Sequence, residues 1–71
     1  MKVKYIGHAS TACTRSLAAI SETGLISDRV QISHVDENWI ITFIWDADTV
    51  EQDRLDEINY HCTEYSLKKV V

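Results

Sequence analysis

Three stretches of the chain have the hydrophobic pattern of β-strands. Residues 2–6, Lys-Val-Lys-Tyr-Ile, alternate between polar and apolar side chains and predict a short strand with Val3 and Tyr5 on one face. Residues 30–35 alternate in the same way and predict a second strand. The polar residues 36–38 that follow have the length of a hairpin turn, so we expect the next strand to pair with this one.

Residues 39–45 predict the strongest strand, because all seven are β-branched or aromatic. Such a continuous run indicates a central strand that is covered on both faces, or whose second face meets a partner. Alternation divides the strand into two sets. We expect one set to form either the core or a dimer face: Trp39, Ile41, Phe43 and Trp45. The other set contains Ile40, Thr42 and Ile44.

Two helices are predicted between and after these strands. The first has apolar residues at i, i+4 and i+7, namely Cys13, Leu17 and Ile20. Its candidate N-caps are Ser10, Thr11 and Thr14. Gly24 is the predicted left-handed residue after its end, where Leu25 would contact Ile20.

The second helix is predicted from Asp48 to about Tyr65, with Asp48 and Glu51 spaced as a capping box. Its apolar side is formed by Ala47, Ile58, Cys62 and Tyr65, with Val50 and Leu55 at the margins. Residues 67–71 are a possible last short strand.

The predicted order is strand, helix, strand, strand, helix and a possible last strand. This order favours a single α+β domain over residues 1–71, a two-layer sandwich with two helices on one face of a small antiparallel sheet. With the last strand included, the order resembles the ferredoxin-like split βαβ plan, which many unrelated functions share. A domain of 71 residues buries a limited core, so a partner surface would add useful burial.

The composition indicates an intracellular protein. No run of about 18 apolar residues could span a membrane, and no apolar segment follows the N-terminal lysines as in a secretory signal. Met1 suggests the natural start, and two cysteines are too few for a secreted disulfide framework. We therefore expect a cytoplasmic location. The net charge of -4 disfavours duplex nucleic acid as a partner.

Negative charge is concentrated in the second half of the chain, where residues 36–64 hold nine acidic residues and one basic residue. Five side chains of the second helix form one predicted outer stripe, at i, i+3, i+4, i+7 and i+11. They are our candidate partner-binding residues: Asp53, Asp56, Glu57, Tyr60 and Glu64. An acidic stripe with an outward tyrosine suits a basic groove on another protein, and a merely solvated face is the alternative.

The sheet offers two further hypotheses. Two helices cover only one face of a small sheet, so the other face is a candidate surface for a homodimer. Tyr5 and Phe43 also have a weak similarity to the paired aromatic residues of RNA-recognition sheets, although no basic stripe accompanies them.

Metal binding and catalysis are not predicted. The available ligands lack the spacing of known zinc motifs, and the two cysteines lie on apolar stripes, where cysteine is commonly a small buried hydrophobic residue. These ligands are His8, Cys13, His34, His61 and Cys62. Pairs that include Ser10 can be drawn for nucleophilic chemistry, but any chain with three histidines permits them. With two glycines the chain has no phosphate-binding loop, and we expect no cofactor.

The function most consistent with these features is a small acidic protein-binding regulator or inhibitor. In physical type it is like phage or other mobile-element inhibitors, anti-CRISPR proteins, antitoxins and immunity proteins. One alternative is a ferredoxin-like oligomeric module that senses a small ligand. A third is an RNA or single-strand nucleic-acid binder, which would bind oligonucleotides in a salt-dependent way.

Overall fold

The chain folds as a two-layer α+β sandwich, as the element order predicts. The computed structural model describes residues 1–24 and 26–70. Its elements are, in chain order, β1 (Lys2–Gly7), α1 (Ser10–Glu22), β2 (Arg29–Val35), β3 (Asn38–Ile44), α2 (Gln52–Glu64) and β4 (Lys68–Lys69). The strands form one antiparallel sheet in the order β2-β3-β1-β4. Strands β1 and β2 therefore run parallel with β3 between them, which is the split βαβ arrangement.

The strand register assigns every residue of the sheet to a face. Val3 pairs with Phe43 and Tyr5 pairs with Ile41, and β2 continues the same rows on the other side of β3. Because residues directly opposite each other in an antiparallel pair project to the same side, these rows define the helix-covered face. The aromatic set of β3 lies on this face. Its members Ile41, Phe43 and Trp45 are buried, and Trp39 is half-buried.

The core lies between this sheet face and the two helices. Helix α1 contributes Cys13 and Ile20, and helix α2 contributes Ile58 and Cys62, all fully buried. Leu67 completes the core from the segment before β4. It packs onto Gly7, where an added Cβ would lie 2.5 Å from the leucine Cδ2. The glycine at the end of β1 thus makes room for the last apolar side chain of the core.

Helix α1 confirms the predicted apolar stripe but not the predicted cap. The N-cap position is Ala9, without a side-chain hydrogen bond, and Ser10 is already helical. The Thr14 hydroxyl donates back to the carbonyl oxygen of Thr11 at 3.2 Å instead of capping. At the other end Gly24 has φ +76°, as predicted, and its N–H donates to the Ser21 carbonyl at 3.1 Å. The predicted Leu25 contact lies outside the described residues.

Helix α2 begins at Gln52, four residues later than predicted, so the capping box at Asp48 is wrong. The segment before it is held by the chain start: the Met1 ammonium donates to the Trp45 and Ala47 carbonyls at 2.8 and 2.9 Å. These bonds fix the segment just past the end of β3, where the chain bends at residues 46–48, and Ala47 is exposed instead of lying on the apolar side of the helix.

The predicted last strand exists as β4, whose two residues pair with β1. The ladder continues one residue further through the Val70 N–H, which donates to the Lys4 carbonyl at 2.9 Å. Both helices have 13 residues, and within residues 1–24 and 26–70 no helix has the length and apolar character needed to cross a membrane.

Candidate functional site

The outer surface of α2 presents the five candidate partner-binding residues together. The helix buries Ile58 and Cys62 against the core, which turns the other side to solvent. All five residues of the acidic stripe are exposed there: Asp53, Asp56, Glu57, Tyr60 and Glu64. Tyr60 is 63% exposed, so most of a large aromatic residue is in contact with solvent. Its ring meets the His61 ring edge-on, with centroids 5.3 Å apart.

The negative charges of the acidic stripe have little internal compensation. Within the described residues, no lysine or arginine nitrogen lies within 4.0 Å of a stripe carboxylate. His61 Nε2 lies 3.4 Å from Glu57 Oε2, but this contact does not have the geometry of a hydrogen bond. Asp56 accepts a 2.8 Å hydrogen bond from the neutral amide of Gln52. The carboxylates therefore remain available to an external cation.

The first turns of α2 form a shallow acidic depression. Its volume is about 390 Å³, and it is lined by four carboxylates and one guanidinium: Glu51, Asp53, Asp56, Glu57 and Arg54. Such a surface has the wrong character for a small-molecule pocket, which is mostly apolar and buries its ligand. It is suited to a long cationic side chain that approaches from a protein surface.

A second charged surface, which the sequence pattern does not predict, lies on the face of the sheet that the helices leave uncovered. Lys2 and Arg29 flank Ile44 in one row of the sheet, Lys4 lies beside Thr42 in the next, and Lys68 is paired with Ile6. We call this the basic sheet face: Lys2, Lys4, Arg29 and Lys68. None of the four strands contains an acidic residue. The basic sheet face and the acidic stripe are on opposite sides of the sheet.

Arg29 and the three lysines of the basic sheet face differ in whether a carboxylate lies near them. Arg29 Nη2 lies 3.4 Å from Asp46 Oδ1, and both side chains are largely exposed, so the ion pair is weak. The three lysines have no carboxylate within 4.0 Å in the described part of the chain. The alternation of residues 2–5 contains the signal for the two N-terminal lysines, but Arg29 and Lys68 join them only through the strand order.

Tyr5 and Phe43, the weak sequence signal for RNA recognition, are not exposed. Both rings are buried on the helix-covered face, 6.4 Å apart and nearly perpendicular. The Tyr5 hydroxyl donates to Asn59 Oδ1 at 2.9 Å, which ties β1 to α2. Burial, and to a lesser degree the neighbouring Cys62 thiol, raises the pKa of Tyr5 to about 12. These rings are structural and cannot stack on a base.

The cysteines and histidines are dispersed. Cys13 and Cys62 are buried free thiols in the core. Burial raises the pKa of both, that of Cys62 to about 12, against the opposing effect of a hydrogen bond from Ser16. Thiols so strongly protonated are poor nucleophiles. In residues 1–24 and 26–70, no three potential metal ligands come together. His34 instead stacks on Trp39, with centroids 4.3 Å apart.

The chain matches no known protein family and no curated protein at a significant level.

Proposed function

We propose that the chain is a small regulator or inhibitor that binds a basic surface of another protein through the acidic stripe. The exposure of Tyr60 at the centre of the stripe is the observation that supports this most. A large aromatic ring in water contributes nothing to the core, yet burial of such a ring is a common source of affinity at protein interfaces.

The uncompensated carboxylates around Tyr60 support the same role. Like charges at i, i+3 and i+4 repel one another and mildly destabilise a helix. A basic partner surface removes this repulsion on binding. The long-range attraction also speeds the encounter, whereas the ring contributes short-range contact after docking. Together these properties suit a protein that acts by occupying a surface and needs no catalytic groups.

Differential capture from a lysate of the source organism tests this proposal. The parent protein is immobilised beside the variant Asp53→Asn/Asp56→Asn/Glu57→Gln and beside Tyr60→Ala, and the captured proteins are identified by mass spectrometry. We expect a protein with a basic surface to be captured by the parent and lost with both variants.

A control variant with the same change in net charge separates docking from charge alone. The variant Asp36→Asn/Glu37→Gln/Asp48→Asn neutralises three exposed acids that lie outside α2. It should capture the same protein as the parent. If the control and the stripe variant lose the protein equally, the attraction comes from net charge. If neither loses it, the acidic stripe is not the interface.

The basic sheet face favours a second candidate function, the binding of single-stranded nucleic acid. Four of the seven basic residues of the chain are gathered on it. Lys2 and Lys4 are two residues apart on one strand, so their side chains project about 7 Å apart in a row that could follow a phosphate backbone. Among the paired residues of β1, β2 and β3, no aromatic side chain lies on this face, so the affinity would come from phosphate contacts and not from base stacking.

Fluorescence anisotropy with a labelled single-stranded oligonucleotide tests the second candidate. Binding should weaken steeply with salt and should be lost in Lys2→Gln/Lys4→Gln/Lys68→Gln. The matched control Arg15→Gln/Arg54→Gln/Lys69→Gln removes the three basic residues outside this face. Absence of binding by the parent at low salt, or equal losses in both variants, would exclude a nucleic-acid site on the sheet.

A further inference from the structure

We infer that β2 pairs with β2 of a second copy of the chain, so that the two sheets join edge to edge across a two-fold axis. Strand β2 is the long edge of the sheet. Its seven residues lack proline, and six of them are exposed: Arg29, Gln31, Ile32, Ser33, His34 and Val35. The opposite edge, β4, has two residues and both are lysines, which is how natural sheets protect an edge. Strand β2 has no such protection.

The hydrogen bonds of the chain start reveal which backbone groups of β2 are free. Met1 and Trp45 exchange both backbone bonds at 2.8 Å, which continues the β1–β3 ladder. Since such pairs alternate along an antiparallel ladder, the odd-numbered residues of β3 bond to β1 and the even-numbered ones bond to β2. The register then turns the N–H and C=O groups of Val30, Ile32 and His34 away from the sheet. They form a ready template for another strand.

The helices leave most of the side chains at this edge uncovered. Helix α1 packs against β1, β3 and α2. On the helix side of β2, Val30 is half-buried against the core, whereas Ile32 and His34 are exposed. Ile32, in the middle of the strand, is 38% exposed, and Ile26, just before the strand, is 48% exposed. An added strand would bury the Ile32 side chain while it satisfies the free backbone groups.

The sequence of β2 is complementary to itself in one antiparallel register. When two copies are centred on Ile32, all seven residues pair, Ile32 meets Ile32 of the second copy, and Val30 meets His34. These are the residues whose backbone groups point outward. Arg29 comes opposite Val35 of the second copy, beside the exposed acids Asp36 and Glu37 of its hairpin turn. The two copies of Arg29 stand about 20 Å apart, beyond effective repulsion at physiological salt.

Analytical ultracentrifugation over a wide concentration range tests the pairing. We expect a reversible dimer for the parent and a dissociation constant at least about tenfold higher for Ile32→Lys, because two like charges would then face each other. The matched control is Val70→Lys, whose native side chain is 41% exposed on the opposite edge. It should dimerise like the parent. Circular dichroism of all variants verifies that each monomer is folded.

Mixing two variants tests the two-fold axis itself. Ile32→Lys and Ile32→Glu should each be monomeric alone, and an equimolar mixture should recover a salt-sensitive heterodimer. Amide hydrogen exchange should slow at Val30, Ile32 and His34 as the parent concentration rises. If the parent stays monomeric at millimolar concentration, the inference is overturned, and the free edge of β2 would be available to a strand of another protein instead. Undiminished dimerisation of Ile32→Lys, or no recovery in the mixture, also overturns it. The acidic stripe is not involved, so this test is independent of the proposed function.

Discussion

The ring of Phe43 lies at the centre of the core, fully buried and edge-on to Tyr5. We expect Phe43→Ala to lower the free energy of unfolding by about 3–5 kcal/mol, since the cavity lies between sheet and helices where neither layer can close over it. The free energy of unfolding of a small domain is about 5–15 kcal/mol, so a large part of the stability would be lost. Urea denaturation followed by circular dichroism measures the change.

Tyr60→Ala is the matched control, because it removes an exposed aromatic ring from the same protein. Its unfolding midpoint should stay close to that of the parent. A cooperative Phe43→Ala protein with the midpoint of the parent would show that β3 does not pack as described.

The buried thiols give the stability a defined pH dependence. Burial raises the pKa of Cys62 from 9.0 to about 12 and also raises that of Cys13. The folded state therefore keeps these protons when the unfolded chain releases them. The stabilisation due to Cys62 is fully present below pH 9 and is lost as the pH rises from about 9 toward 12. Each pH unit in this window removes at most about 1.4 kcal/mol through this thiol.

Urea titrations between pH 7 and 11 measure this slope, and Cys62→Ala is the comparison. The parent should lose stability steeply above pH 9, and the variant should lose it less steeply because one of the responsible protons is gone. The double variant Cys13→Ala/Cys62→Ala should remain folded, since both thiols act as small apolar side chains. Equal slopes in parent and Cys62→Ala would contradict the assignment of the alkaline loss to this thiol.

At the level of elements, the sequence pattern identifies all six, and the errors lie at the helix starts. Alternation and helical spacing reflect which side chains are buried in the folded protein. The bounds of β1, β2 and β3 therefore agree with their predictions to within one residue. Capping preferences are weaker than tertiary contacts. Before α2 the Met1 ammonium donates to the Trp45 and Ala47 carbonyls and the Asp46 N–H donates to the Asp28 carboxylate, and the second helix starts later. No local pattern contains those long-range partners.

Helix α2 separates the residues that fold the domain from those proposed to bind. Ile58 and Cys62 carry the packing, and the stripe residues touch solvent. The stripe variant Asp53→Asn/Asp56→Asn/Glu57→Gln should therefore fold with nearly unchanged stability, because relief of repulsion between like charges offsets the loss of the Asp53 charge from the first turn of the helix. If the variant folds like the parent, a loss of binding reflects the loss of the interface and not unfolding.

At the scale of the whole molecule, the fold places the acidic stripe and the basic sheet face on opposite sides of the sheet. The acidic stripe could be predicted from the spacing within one helix. The basic sheet face could not, because Lys2, Arg29 and Lys68 come from three strands whose order and register arise from pairing across the sheet. The result is a domain with a negative helix side and a positive sheet side. A basic partner is expected to approach the first and to be repelled by the second.

The association rate of the captured partner is the most direct test of the acidic stripe as the docking surface. Surface plasmon resonance should show association at least about tenfold slower for the stripe variant, with a flatter salt dependence. Tyr60→Ala should associate at nearly the parent rate and dissociate faster, because a buried ring acts after the encounter. The control Asp36→Asn/Glu37→Gln/Asp48→Asn should behave like the parent. Association and dissociation rates that are the same for parent, stripe variant and Tyr60→Ala would contradict the proposal and remove α2 from the interface.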